Sequence, residues 1–169
     1  MRSEISEEEV EATIRSALTD PLVGAIDDFR TAVDEAESVL YLADNAGEIV
    51  FDRLLLEEMP KDKVVVAVKG APIINDATMD DAVAAGVPYV VEVIDNGSDA
   101  PGTILESCSP AFRSRFESAD LVISKGQGNY ETVSGLDKPI FFLLKAKCQV
   151  IADDLGVPVG SLVLRHNCA

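Results

Sequence analysis

Residues 38–48 read Ser38-Val39-Leu40-Tyr41-Leu42-Ala43-Asp44-Asn45-Ala46-Gly47-Glu48. The first six carry mainly apolar side chains with no polar alternation, the mark of a strand covered on both faces. The next five are acidic, polar or small, and they begin where that strand must end. The same unit recurs downstream. Comparable runs stand at 63–68 (KVVVAV), 89–94 (YVVEVI), 120–124 (DLVIS), 139–144 (PIFFLL) and 159–164 (VGSLVL). Helical stretches lie between them at 47–59, ended by Pro60, at 76–86, ended by Gly86, and at 110–118, 128–134 and 146–155. Buried strands alternating with helices predict an α/β fold: a mainly parallel sheet with helices on both faces, a three-layer α/β/α domain over residues 38–169.

Residues 1–37 read as an N-terminal helical segment of two short helices. Ser6 and Glu9 have the S-x-x-E spacing of a capping box, ahead of Val10, Ile14 and Leu18. Asp20-Pro21 offers the N-cap and first helical position of a second helix. Its Leu22, Ile26, Phe29, Val33 and Ala36 recur on one face, which is expected to pack on the sheet or on a second subunit. Residues 1–40 hold eleven acids against three bases, half of the chain's net charge of −16. A solvated acidic face and a salt-adapted host both account for that.

The whole chain has 169 residues, 47% hydrophobic and 26% charged, the profile of one globular domain with a substantial core. Thirty acids against fourteen bases argue against nucleic acid or an anionic membrane surface as partner, since phosphate contacts need a basic face. No apolar run approaches the roughly 20 residues of a membrane span, and the opening MRSEISEEEVEA is too acidic for a signal peptide. Cys108, Cys148 and Cys168 form no C-x-x-C pair. They predict neither a disulfide framework nor a structural zinc site and fit a reducing cytoplasm.

In a parallel sheet the loops that follow the strands share one edge, where open α/β folds bind ligands. Four such loops converge there: Asp44 to Glu48, Lys69 to Thr78, Asp95 to Asp99 and Lys125 to Glu131. Asn45 and Asp76 stand where helix N-caps belong, and capping alone would account for either. Asp44 needs more, because a carboxylate closing a buried strand must be paired or bind a cation. Asp44, Asn45 and Asp76 together offer hard oxygen ligands suited to magnesium or manganese. The Lys125-Gly126-Gln127-Gly128 loop reads either as a tight turn or as an anion site built from backbone N–H groups and one positive charge. Lys69 reads as an ordinary surface lysine. A cation site beside an anion site points to a phosphorylated substrate.

Other hydrolytic chemistries lack their residues. There is no G-x-S-x-G and no H-E-x-x-H, and the single histidine, His166, stands four positions from the end. His166 and Asn167 follow the last strand and are expected either in solvent or at the cleft. A phospho-acceptor reading of Asp44 would need a further acid close by, and Asn45 and Ala46 follow instead. The alternative function is a non-catalytic nucleotide- or phosphometabolite-binding α/β module, based on the glycines after the fourth strand.

Asp44-Asn45-Ala46-Gly47-Glu48, then Lys69-Gly70 through Asn75-Asp76-Ala77-Thr78, then Asp120 through Lys125-Gly126-Gln127-Gly128-Asn129-Tyr130-Glu131 resemble the motifs of the metal-dependent damage-control phosphatases, in their archaeal and bacterial branch. The resemblance runs from about Asp20 to the C-terminus. It implies a Rossmann-like core and a divalent metal (manganese, magnesium, cobalt or nickel) on Asp44, Asn45 and Asp76. It further implies catalysis by these residues with Lys125, and a substrate held by Asp95, Asn96, Gly97, Ser98, Lys125, Gly126 and Asn129. The implied activity is hydrolysis of phosphate monoesters of small metabolites, sugar phosphates or damaged phosphometabolites. The family usually carries a larger N-terminal helical domain than the 37 residues here, which leads us to expect a homo-oligomer or a separate helical partner.

Overall fold

The computed structural model describes Glu11, Arg15 and residues 19–167. The capping box at Ser6–Glu9 and Cys168 lie outside the described residues. Seven strands form one sheet: β1 (Leu22–Val23), β2 (Val39–Leu42), β3 (Val64–Val68), β4 (Glu92–Asp95), β5 (Leu121–Lys125), β6 (Ile140–Lys145) and β7 (Leu162–His166). Six α-helices lie within residues 19–167: α1 (Ile26–Glu35), α2 (Ile49–Glu57), α3 (Met79–Ala85), α4 (Pro110–Ser118), α5 (Gln127–Val133) and α6 (Gln149–Leu155). None is long and apolar enough to cross a membrane. The strand order is β1-β7-β6-β5-β2-β3-β4, and β2 to β6 are all parallel.

The apolar runs are continuous because the side chains of each strand divide between two cores. Val39, Tyr41, Val64, Val66, Ile123 and Phe141 join residues of α1, α2 and α3 on one face. Leu40, Leu42, Val65, Val122, Phe142 and Val163 join residues of α4, α5 and α6 on the other. This is the expected three-layer α/β/α fold. Strands β2, β3 and β5 are buried at every position.

One expectation needs correcting. Asp20-Pro21 does not start a helix. Leu22 and Val23 instead pair in parallel with Leu162 and Val163, and α1 begins only at Ile26. Gly24 makes this possible: at φ +149° it lies so close to the Leu164 backbone that a Cβ would collide with it. Val33 of α1 and Ala36 just beyond it are core residues, and Phe29 meets Phe141 edge-on at 5.3 Å. The amphipathic face of α1 packs on its own sheet.

The sheet is mainly parallel, as expected, with β7 antiparallel to β6. After α6 the chain returns to the edge it left: Gly160 N–H donates to Ala146 O and Ala146 N–H to Ser161 O. The last strand therefore runs back toward the opposite edge. His166 pairs with Phe141 near the start of β6 and stacks on its ring at 4.1 Å. It is at the amino edge of the sheet, away from the convergent loops, and burial holds its pKa below the usual imidazole value.

Phe141 thus binds α1, β6 and β7 together from a position 2% exposed. Phe141→Ala is expected to destabilise the fold by ~3–5 kcal/mol in denaturant unfolding. A loss below about 1 kcal/mol would contradict this account of the N-terminal packing.

Candidate active site

The loops after β2, β3 and β5 meet as their strands end. Asn45 and Asp76 form an antiparallel bridge, and Ala77 N–H donates to Asp44 O at 2.7 Å. Asp44, Asn45 and Asp76 are thereby brought to one point from two loops. Neither candidate N-cap caps a helix with its side chain. Thr78 and Asp81 cap α3, with Thr78 N–H and Oγ1 donating to Asp81 Oδ2 at 2.8 and 2.6 Å. The Asn45 amide turns to Asp44 Oδ2 at 2.6 Å and Glu48 Oε2 at 3.2 Å, and its Oδ1 accepts from Asn75 Nδ2 at 2.6 Å. The capping explanation fails for both.

Asp44 has no ion-pair partner among the described residues. Burial, then the neighbouring Glu48 and Asp76 charges, raise its pKa to about 6 against the opposing pull of Lys147 and Lys125. A desolvated carboxylate beside two others is a place where positive charge is missing. The donor set also fits a hard divalent ion, since Asp44 and Asp76 supply carboxylate oxygens and Asn45 Oδ1 has a second lone pair. Gly126 completes the fit. Its φ is +78°, and a Cβ there would fall inside the Asp44 carboxylate.

Lys69 is not a surface lysine. It is 4% exposed, with its Nζ donating to Ala100 O at 3.1 Å and to Gly102 O, and lying 3.4 Å from Asp76 Oδ2. Burial lowers its pKa more than Asp76 restores it. Lys125 is equally committed. Its Nζ donates to Glu48 Oε1 and, at 2.6 Å, to Asp52 Oδ1. Burial depresses its pKa, but the two carboxylates outweigh that and raise it. Burial raises the Asp52 carboxyl above its usual range despite Lys125, whereas Lys125 and Asn45 overcome burial at Glu48 and lower it.

The expected substrate contacts divide. Lys125 and Gly126 line a cleft of about 290 Å³ with Asp44 and Glu48. Gly126 N–H, however, donates to Leu143 O and is not free for an anion. Asp95, Asn96, Gly97 and Ser98 do not line that cleft. Their loop holds itself together: Asp95 Oδ1 accepts from Gly97 N–H, and Asn96 Oδ1 accepts from Ser98 N–H and Gly70 N–H. Asn129 is scaffold. Its Nδ2 donates to Ala43 O and Lys125 O, and its Oδ1 accepts from Thr103 Oγ1.

Residues 1–163 match the damage-control phosphatase ARMT1-like domain. The chain belongs to that family. A damage-control phosphatase of Pyrococcus horikoshii is 43% identical over 169 residues, covering 96% of this chain and 58% of that protein. A damage-control phosphatase of Archaeoglobus fulgidus is 47% identical over 131 residues, 75% of this chain and 46% of that protein. An uncharacterized protein of Methanocaldococcus jannaschii is 54% identical over 134 residues, 76% of this chain and 44% of that protein. The crystal structure of a DUF89 family protein from Pyrococcus horikoshii gives a TM-score of 0.89 at 40% identity, over 98% of this chain and 60% of that one. This chain spans about half the length of the curated relatives it matches.

Sequence reasoning did not single out two residues that stand beside the candidate site, Asp52 and the buried Lys69. Asp52 stands four residues after Glu48, a spacing that sets both on one helix face. That signal was readable. Cys108 is buried and Cys148 is exposed, and among the described residues neither is joined to another cysteine.

Two outcomes test the site. Gly126→Ala is expected to lower divalent-ion affinity at least ~10-fold in calorimetry with unchanged far-UV circular dichroism; parent-like binding would remove Asp44 from the site. The second is pH dependence. Asp44 holds its proton up to about pH 6, so an incoming cation must displace it below that value. Affinity is expected to fall as pH drops through 6. In the cation-free chain the sign reverses: charging Asp44 is unfavourable in the fold, so its penalty is fully present above pH 6 and is relieved as pH falls toward the ordinary carboxylate range. A flat affinity between pH 5 and 7.5 would contradict the first statement.

Proposed function

We propose that this chain hydrolyses phosphate monoesters of small metabolites, sugar phosphates or damaged phosphometabolites, using a divalent cation. Manganese, magnesium, cobalt and nickel are the candidate ions. The observation that carries the reading is the convergence of Asp44, Asn45 and Asp76 beside a cleft with a buried lysine at its wall. The names of the Pyrococcus and Archaeoglobus relatives support the same reaction class.

Asp44, Asn45 and Asp76 would hold the ion, which when bound supplies Lewis acidity toward a phosphoryl oxygen. The remaining work falls to the chain's own residues. Lys125 has three N–H donors and gives two to Glu48 and Asp52. The third is available to a phosphoryl oxygen as charge develops there. Glu48 and Asp52 keep this ammonium charged and immobile, and Glu48 also fixes the Asn45 amide. In the net reaction water oxygen bonds to phosphorus, the ester P–O bond breaks, and the leaving alcohol takes a proton.

The glycines after β5 give the binding-module alternative no support. Gly126 is required by Asp44, and Gly128 packs against Gly102.

Purified protein assayed for phosphate release across phosphorylated metabolites tests the reading. Asp44→Ala is expected to abolish divalent-ion binding and reduce release to background. Lys125→Ala is expected to keep the ion and lose ~2–4 kcal/mol of transition-state stabilisation, roughly 30- to 1,000-fold in turnover. An Asp44→Ala variant that binds manganese like the parent would overturn the assignment.

A further inference from the structure

Four lysines gather at the carboxyl edge, and they are of two kinds. Lys69 and Lys125 are buried and engaged with protein acceptors. Lys145, the last residue of β6, and Lys147, just beyond it, are exposed. Neither takes part in an ion pair among the described residues. Ala146 between them is fully buried, so the strand pleat turns both lysines to the same side.

That side is the Asp44 cleft. Lys145 and Lys147 line it together with Asp44, Glu48 and Lys125, and Leu143 and Leu162 form part of its wall. The Lys147 charge is felt at both Asp44 and Glu48, so its ammonium stands close to the carboxylate end. Lys145 and Lys147 are set apart from the other cations without an ion pair by their place, since they line the Asp44 cleft of a chain with thirty acids and fourteen bases. The cleft has room for a small metabolite and offers apolar surface between two polar groups of residues. An ester carrying a further negative charge would meet repulsion from Asp44, Glu48 and the net charge of the chain. Among the described lysines that line the cleft, Lys125 is already paired with Glu48 and Asp52, and Lys145 and Lys147 remain to offset it. A flexible ammonium accepts carboxylate or phosphate without a fixed bidentate geometry.

We propose that the preferred substrates carry a second anionic group, a carboxylate or a further phosphate, on the same small skeleton as the scissile ester, and that Lys145 and Lys147 hold it. The inference rests on the phosphatase reading and narrows its substrate class. The lysines act on specificity, by admitting a doubly anionic ester into an acidic protein.

The test compares glycerol 3-phosphate with 3-phosphoglycerate, and fructose 1-phosphate with fructose 1,6-bisphosphate. The first pair isolates a carboxylate and the second a phosphate. Both kcat/KM with manganese and calorimetric Kd are measured for the parent and for the double variant Lys145→Gln/Lys147→Gln. Both side chains are exposed, and thermal unfolding verifies that the variant folds; the single variant Lys147→Gln takes its place if it does not. The parent is expected to favour the more anionic member of at least one pair. The variant is expected to lose that preference by ~10-fold or more, chiefly through KM. A parent preferring the simpler ester in both pairs, or a preference ratio unchanged in the variant, would overturn the proposal. If none of the four compounds releases phosphate, the hydrolase reading fails for this set while the Kd ratios still decide the lysines. Unchanged Kd ratios refute them, and a lost preference sustains them.

Discussion

Strand β2 is hydrogen-bonded on both sides, to β3 and to β5, in parallel and in one continuous register. Val39 faces Val64 and Leu121; Leu42 faces Ala67 and Ser124. Three strands locked this way end together, and Asp44, Lys69 and Lys125 leave the sheet as near neighbours. Backbone bonds carry the registration past the strands themselves, through Ala43 N–H to Ala67 O and Ala77 N–H to Asp44 O. A one-residue slip of any of these strands would move its side chains to the opposite core, so burial on both faces enforces the alignment that the site requires.

The charges follow from where those strands stop. Buried ion pairs contribute little net stability, because desolvation offsets most of the attraction, but they do fix orientation. Lys125 is held by acids four residues apart on α2, and Lys69 by Asp76 and two carbonyls of another loop. Both arrangements leave Asp44 as the carboxylate of this cluster that has no ion-pair partner among the described residues. Gly126, with no side chain, lets β5 pass directly beneath it. The imbalance is local and built from backbone geometry, not from an excess of acids in general.

Much of the fold was legible because the strands are buried on both faces and so read as unbroken apolar runs. Residues 39–42, 64–68 and 121–125 are fully buried, and their runs announced them. Leu22–Val23 was misread, since two residues make no periodicity and Asp20-Pro21 carries a strong helix-start signal. The antiparallel course of β7 was also hidden: it depends on Gly160 returning to Ala146, a long-range pairing with no local signature. In the site, Asp44 declared itself as a charge closing a buried strand. Lys69 did not, because nothing in Lys69-Gly70 tells that carbonyls 31 and 33 positions away will enclose it. Asn129 and Asn96 were legible as loop amides beside the site, but not as struts, for amides that contact ligand and amides that brace a loop look alike in one dimension.

The Lys69 ammonium joins two things that are otherwise separate. One N–H direction faces Asp76, and the others bind Ala100 and Gly102, in the segment between β4 and α4. That segment is in turn tied to α5 through Thr103 and Asn129. A single cation shared in this way makes the electrostatic state of Asp76 and the order of the segment one linked equilibrium. Any charge that arrives at Asp76 alters the hold of Lys69 on the two carbonyls, and by reciprocity the position of the segment is felt at Asp76 with the same free energy. The lysine is a mechanical coupling between the floor of the site and its margin, formed by one ammonium group and requiring no hinge.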